Sequence, residues 1–185
     1  MVKLTNAETA LMGLLSEGPM YPYQIEQQVK YRDMRFWTDL SMSSIYKLLK
    51  KLEDSGLVTL ESHISTANRL QKLYSLNAAG IEAFKNRLED ILRTPEHQRW
   101  QFDIGLYNLD VLDGKTAISA LTDQRAELEK KIAGYHDLEK FLAESACPAH
   151  RLELARRPVF LLEAEIRWID RFLNQFAGSG DGESE

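Results

Sequence analysis

Cysteine is almost absent: Cys147 is the single one among 185 residues. No disulfide can form within the chain, so a cross-linked secreted scaffold is excluded and a reducing compartment fits. Long apolar runs are missing as well. No uninterrupted stretch approaches the ~20 residues that span a bilayer. The opening "MVKLTNAETALMGLLSEG" carries Asn6, Glu8 and Glu17 within its apolar pattern and makes a poor signal peptide. Basic excess is lacking, because the formal net charge is −5, which argues against general stickiness toward nucleic acid. Glycine patterns of nucleotide-binding loops do not occur. His63, His97 and His136 show no metal-ligand spacing with Cys147-Pro148-Ala149-His150. Nucleophilic catalysis there would need a positioned base with an orienting partner, and zinc would need more ligands. The absences together predict a cytoplasmic protein with no enzymatic activity, cofactor, metal or membrane segment.

What is present is ordinary globular composition, 44% hydrophobic and 28% charged, with room for one or two domains. Charge is uneven. Residues 1–80 hold 9 Lys+Arg against 8 Asp+Glu, whereas residues 81–185 hold 14 against 20. Any affinity for polyanions should therefore lie in the first part.

Thr5-Asn6-Ala7-Glu8 has capping-box spacing, and Ala10, Leu11, Leu14 and Leu15 follow at helical intervals up to Gly18-Pro19. A second helix can begin at Pro22 and bury Ile25 and Val29. Ser41 or Ser43 caps a third, ending at Gly56. Two strands, about Leu57 to Ile64 and Arg69 to Leu76, flank the polar tip Ser65-Thr66-Ala67-Asn68. Three helices and a two-stranded hairpin make a winged helix-turn-helix. Asn77 can cap a fourth helix, with Ile81, Phe84, Leu88 and Ile91 inward. A fifth would carry Trp100, Phe102, Ile104, Leu106 and Tyr107. Asp113-Gly114 opens a long sixth, in which Arg125 interrupts the series Ile118, Leu121, Leu128, Ile132, Tyr135. A last helix repeats the 3-4 rhythm from Leu152 to Phe176, and Pro158 should kink it or mark its start. The fold expected is mainly α. A DNA-binding domain spans residues 1–80, a helical dimerisation and effector region residues 81–176, and a disordered tail residues 177–185.

The third helix raises the functional question. At about 100° per residue, Ile45, Leu48, Leu49 and Leu52 of "SMSSIYKLLKKLEDSGLV" share one arc, while Tyr46, Lys47, Lys50, Lys51 and Asp54 lie outside it. Outward lysines usually mean a solvated face. A helix of this size also fits the major groove of duplex DNA, N-terminal residues nearest the base edges. Ser41, Ser43, Ser44 and Tyr46 would then offer hydrogen-bonding groups to the groove. Lys47, Lys50 and Lys51 would meet phosphates or guanine edges, and Arg69 and Lys72 of the hairpin would reach the neighbouring backbone.

The same stretch resembles the recognition-helix signature of the PadR family of bacterial transcriptional regulators, in which Ser-x-x-Ser-Ile-Tyr, Leu-x-x-Leu-Glu and Gly-Leu-Ile/Val recur in order. "LMGLLSEGPMYPYQI" is similar to that family's first two helices, and "RLQKLYSLNAAG" to its second wing strand and fourth helix. The acidic remainder looks like the dimerisation region of larger members, including relatives of the virulence activator AphA. Three positions depart from the pattern. Tyr21-Pro22-Tyr23 stands where His-Gly-Tyr is usual, Ser43 replaces a glycine, and Lys47 replaces the common proline. The resemblance implies a homodimeric repressor, less often an activator, on a palindromic double-stranded operator. It also implies response to a small aromatic effector, for which Trp37, Trp100 and Trp168 are candidate contacts. The competing reading is a winged-helix dimer that binds another protein instead of DNA.

Overall fold

Local capping signals determine where several of the helices begin. The computed structural model describes residues 3–64, 68, 70–97, 99–144 and 148–179. Helix α1, Asn6–Leu15, starts on the capping box read from the sequence. The Glu8 N–H donates to Thr5 Oγ1 at 3.2 Å, and the Thr5 N–H donates to Glu8 Oε2 at 2.7 Å. Helix α2, Pro22–Tyr31, places proline in its first turn, where no N–H is required, and buries Ile25 and Val29. Helix α3, Ile45–Asp54, follows a 3-10 turn at Met42–Ser44. It ends in a Schellman motif: Gly56 adopts φ 69°, its N–H donates to the Glu53 carbonyl, and the Leu57 N–H donates to that of Leu52.

Strands β1, Val58–Ile64, and β2, Leu70–Leu76, pair antiparallel, with Val58 opposite Leu76 and Ile64 opposite Leu70. Met20 and Tyr74 exchange backbone hydrogen bonds and fasten the wing to the segment before α2. One core joins the three helices to the base of the wing, with Leu11, Met12, Ile25, Val29, Leu40, Ile45, Leu49 and Leu52 almost fully buried. This is the expected winged helix-turn-helix.

Helix α4, Ala78–Arg93, is capped by Asn77, whose Oδ1 accepts the Gly80 N–H at 2.8 Å. Its first turn lies so close to the wing that a Cβ on Gly80 would fall 2.0 Å from the Leu57 carbonyl oxygen. Phe84 packs on the core. The first compact unit consequently runs to His97, past the boundary near residue 80 that the motifs indicate. Ile81, Leu88 and Ile91, expected to point inward, remain partly exposed on α4.

The second unit begins after His97. It contains α5, Gln101–Tyr107, α6, Gly114–Glu144, and α7, Ala149–Ser179. Trp100 precedes α5 as its N-cap residue instead of lying within it. Asp113 starts α6 by accepting the Thr116 N–H at 2.9 Å. The ion pairs Arg125–Asp170 and Arg156–Glu139 run in opposite sequence directions, so α6 and α7 are antiparallel. Leu121, Leu128 and Ile169 form the seam, flanked by Phe102, Trp168 and Phe172. Pro158 neither starts nor ends α7, which is assigned as helical on both sides of it. The helix also continues to Ser179, so residues 177–179 are helical, contrary to the expected disordered tail. Residues 180–185 lie outside the described residues. No helix among the described residues is long and apolar enough to cross a membrane.

Candidate nucleic-acid interface

The entry to α3 is shaped by its serines. Ser44 Oγ donates to the Ser41 carbonyl at 2.8 Å and accepts the Ser41 N–H at 3.2 Å. That hydroxyl is occupied by holding the 3-10 turn. The Ser41 and Ser43 hydroxyls lie 3.3 Å apart, and Ser43 is exposed. Past this turn the apolar arc faces the core. Tyr46 is 58% exposed, and Lys47, Lys50 and Lys51 are exposed beside it.

The three lysines differ electrostatically. Lys47 has no ion pair among the described residues. Lys50 Nζ lies 2.7 Å from Asp54 and 3.5 Å from Glu53. The Asp54 hydrogen bond raises the Lys50 pKa, but Lys50 and Asp54 are both 62% exposed, so the pair is easily exchanged for water. Lys51 reaches backward to Oε1 of Glu8 at 2.5 Å. Glu8 is 2% exposed. Burial pushes its pKa up, but hydrogen bonds from Lys51 and Thr5, with the Lys51 charge, outweigh burial and hold the carboxyl below its ordinary value. Sequence reasoning misses this partner, because a capping-box glutamate normally faces solvent and nothing nearby in sequence marks a lysine 43 positions away.

On the wing, Lys72 is exposed opposite Ser62 and has no ion pair among the described residues. Arg69, its expected companion, lies outside the described residues. The wing carries Ile64 and Leu70 directly opposed, 73% and 67% exposed.

The three tryptophans are not brought together within one unit. Trp37 borders a cleft of about 630 Å³ in the first unit, lined also by Arg35, Asp39, Asn6, Thr9, Phe84 and Leu88. Trp168 is part of the second unit's packing, edge-on to Phe102 at 5.7 Å and stacked on Phe172 at 5.2 Å. Trp100 is half exposed before α5. No cluster of His, Cys, Asp and Glu suited to a metal occurs among the described residues, and Cys147 lies outside them.

Comparison with known proteins agrees with this arrangement. Residues 11–86 match the model of the "Transcriptional regulator PadR-like family". The chain is 28% identical over 139 residues to the negative transcriptional regulator PadR of Bacillus subtilis, covering 75% of this chain and 76% of that protein. Its fold is similar to crystal structures of Bacillus subtilis PadR. The complex with operator DNA gives TM-score 0.73 at 23% identity, covering 91% of this chain and 98% of the other. The complex with p-coumaric acid gives 0.74 at 20%, covering 94% and 99%. The Vibrio cholerae virulence activator AphA gives 0.64 at 21%, covering 94% and 99%. It is through its winged-helix residues, 11–86, that the chain matches the PadR-like family of transcriptional regulators.

Proposed function

We propose that this regulator is a homodimeric repressor that binds an inverted-repeat operator and is released by a small aromatic effector. The observation that carries the DNA reading is the outer face of α3. Tyr46 and Lys47 stand exposed there, Lys47 without an ion pair among the described residues, and Ser43 lies exposed at the helix entry. Lys50 is held by an exchangeable surface pair with Asp54 and a longer contact to Glu53. In this reading Tyr46 and Ser43 meet base edges, Lys47 and Lys50 meet phosphates or guanine, and Lys72 with Arg69 grips the neighbouring backbone. Ser41 and Ser44 shape the entry to the helix. A relative crystallised with operator DNA and a curated relative that is a negative regulator support both the partner and the sign of regulation. Such work on DNA belongs in the cytoplasm.

Dimerisation belongs to the second unit. Phe141, Leu154, Phe160 and Leu161 on α6 and α7 are about half exposed or more in a single chain, and a second copy would cover them. The cleft beside Trp37 is the effector site. It offers an aromatic wall, apolar floor residues and the Arg35 guanidinium, a combination suited to an aromatic carboxylate. The relative crystallised with p-coumaric acid supports that ligand class.

The test uses full-length protein and duplexes selected from random DNA. With Lys47, Lys50, Arg69 and Lys72 from each protomer, ~6–8 phosphates are neutralised, and affinity should fall about 10³–10⁴-fold between 50 and 200 mM salt. Half-site centres should lie about 10 base pairs apart, or a multiple of one turn. Moving them by five base pairs should abolish specific binding. Indifference to both salt and spacing would refute this reading and favour the protein-partner alternative.

A further inference from the structure

Among the described residues, Glu8 is the one charged group buried in a core, and it lies under the recognition helix. Its two oxygens have separate tasks. Oε2 accepts the Thr5 N–H at 2.7 Å and the Thr5 hydroxyl at 2.9 Å, which closes the start of α1. Oε1 holds Lys51 at 2.5 Å, from the last turn of α3. We infer that Glu8 is a positioning residue for DNA reading: it retains Lys51 against α1, so that Lys51 neutralises no phosphate and the reading face is confined to the side of α3 bearing Tyr46, Lys47 and Lys50. The inference rests on the DNA-binding reading above.

Helix geometry supports the division. Taking Ile45 as zero and about 100° per residue, Lys50 and Lys47 fall near 140° and 200°, on either side of the point opposite the core. Lys51 falls near 240°, on the flank that turns toward α1. The energetics separate the lysines in the same way. A phosphate can take Lys50 from Asp54, because Asp54 is exposed and water replaces the departing ammonium, and the second contact of Lys50, to the less exposed Glu53, is the longer one at 3.5 Å. Taking Lys51 would leave a buried carboxylate without its counter-charge, which the low-dielectric interior penalises heavily. The capping bonds from Thr5 do not substitute, since they carry no positive charge. A formally basic helix thus presents fewer free cations than its composition shows, and non-specific attraction to DNA is reduced while the residues that read sequence are kept.

The experiment measures the slope of log affinity against log salt on a random-sequence duplex, for full-length wild type and variants shown folded by circular dichroism. Lys47→Met and Lys72→Met should each flatten the slope of the dimer by about 1.8, because each protomer then neutralises one phosphate fewer. Lys51→Met should leave the slope unchanged. Glu8→Gln preserves an acceptor for Thr5 but frees the Lys51 ammonium, so the slope should steepen by about 1.8. Glu8→Asp, which keeps the charge, should restore the wild-type value. The double variant Glu8→Gln/Lys51→Met has neither charge and should show the wild-type slope, which keeps the test decisive if a single variant fails to fold. A merely structural role for Glu8 would lower stability without moving the slope. A Lys51→Met slope flattened like that of Lys47→Met, or a Glu8→Gln slope equal to wild type, overturns the inference while leaving DNA binding intact. Wild type that binds no duplex in a salt-dependent way removes the DNA reading, and this inference with it.

Discussion

Replacing Gly80 with alanine should destabilise the first unit, although alanine is the better helix former by about 1 kcal/mol. The reason is the close approach of the first turn of α4 to the wing. An added Cβ would lie 2.0 Å from the Leu57 carbonyl oxygen and 3.0 Å from its carbon, and 3.0 Å is a separation below which real Cβ atoms essentially never fall. The helix and the strand must therefore part by about 1 Å, and the obstacle is backbone, so no side-chain rotation relieves it. Parting them strains the cap, because Asn77 Nδ2 donates to the Gly56 carbonyl at 2.8 Å while its Oδ1 holds the Gly80 N–H. Overpacking costs ~1–3 kcal/mol and a weakened cap ~0.5–2 kcal/mol. After subtracting the propensity gain of about 1 kcal/mol, a net loss of about 0.5–4 kcal/mol remains. Urea unfolding followed by Trp37 fluorescence, in a background with Trp100 and Trp168 changed to phenylalanine, reads the first unit selectively. Gly134→Ala in α6, where nothing lies within 4 Å of the added carbon, is the control and should stabilise by ~0.5–1 kcal/mol, followed by circular dichroism. A Gly80→Ala protein as stable as its parent would refute the reasoning.

Other outcomes follow from the same geometry. Tyr46→Ala should cost ~1–3 kcal/mol of operator affinity and relax preference at particular base pairs in a binding-site selection; a uniform loss over all sequences would remove Tyr46 from readout. Ile169→Ala, at a fully buried seam position, should cost ~2–5 kcal/mol by unfolding. Arg125→Met should change stability by less than ~1 kcal/mol, because its pairs with Asp170 and Glu129 are partly exposed. Ending the chain after Arg93 should yield a monomer by analytical ultracentrifugation, and an unchanged dimer would displace the interface from the second unit. Glu8 has a folded pKa below the unfolded 4.5. Its contribution to stability is therefore complete above 4.5 and lost as pH falls through the folded value, so the stability gap between wild type and Glu8→Gln should close in acid.

The residues that sequence reading placed well are those whose partners are near in sequence. Thr5 and Glu8 form their box across three positions, Asn77 caps the turn that follows it, and Gly56 ends α3 within one turn. The arc of Ile45, Leu49 and Leu52 faces the core because helical period alone brings them together. Strand-like runs likewise give the wing, and ordered motifs over about residues 5–80 give the resemblance that the family model matches over residues 11–86. Tertiary structure decided the rest, because pairings between distant segments leave no local trace. Lys51 looks like its neighbours until folding sets it on a glutamate from α1. Ser44 resembles a groove contact until the turn engages its hydroxyl from both sides. Composition shifts near residue 80, yet α4 joins the first unit through a backbone approach that only glycine permits. Trp37 borders a cleft in the first unit and Trp168 fills the packing of the second, surroundings that sequence spacing does not reveal. The periodicity of a chain specifies which face of each element is buried; which charges remain free on the outer face depends on what the other elements bring against it.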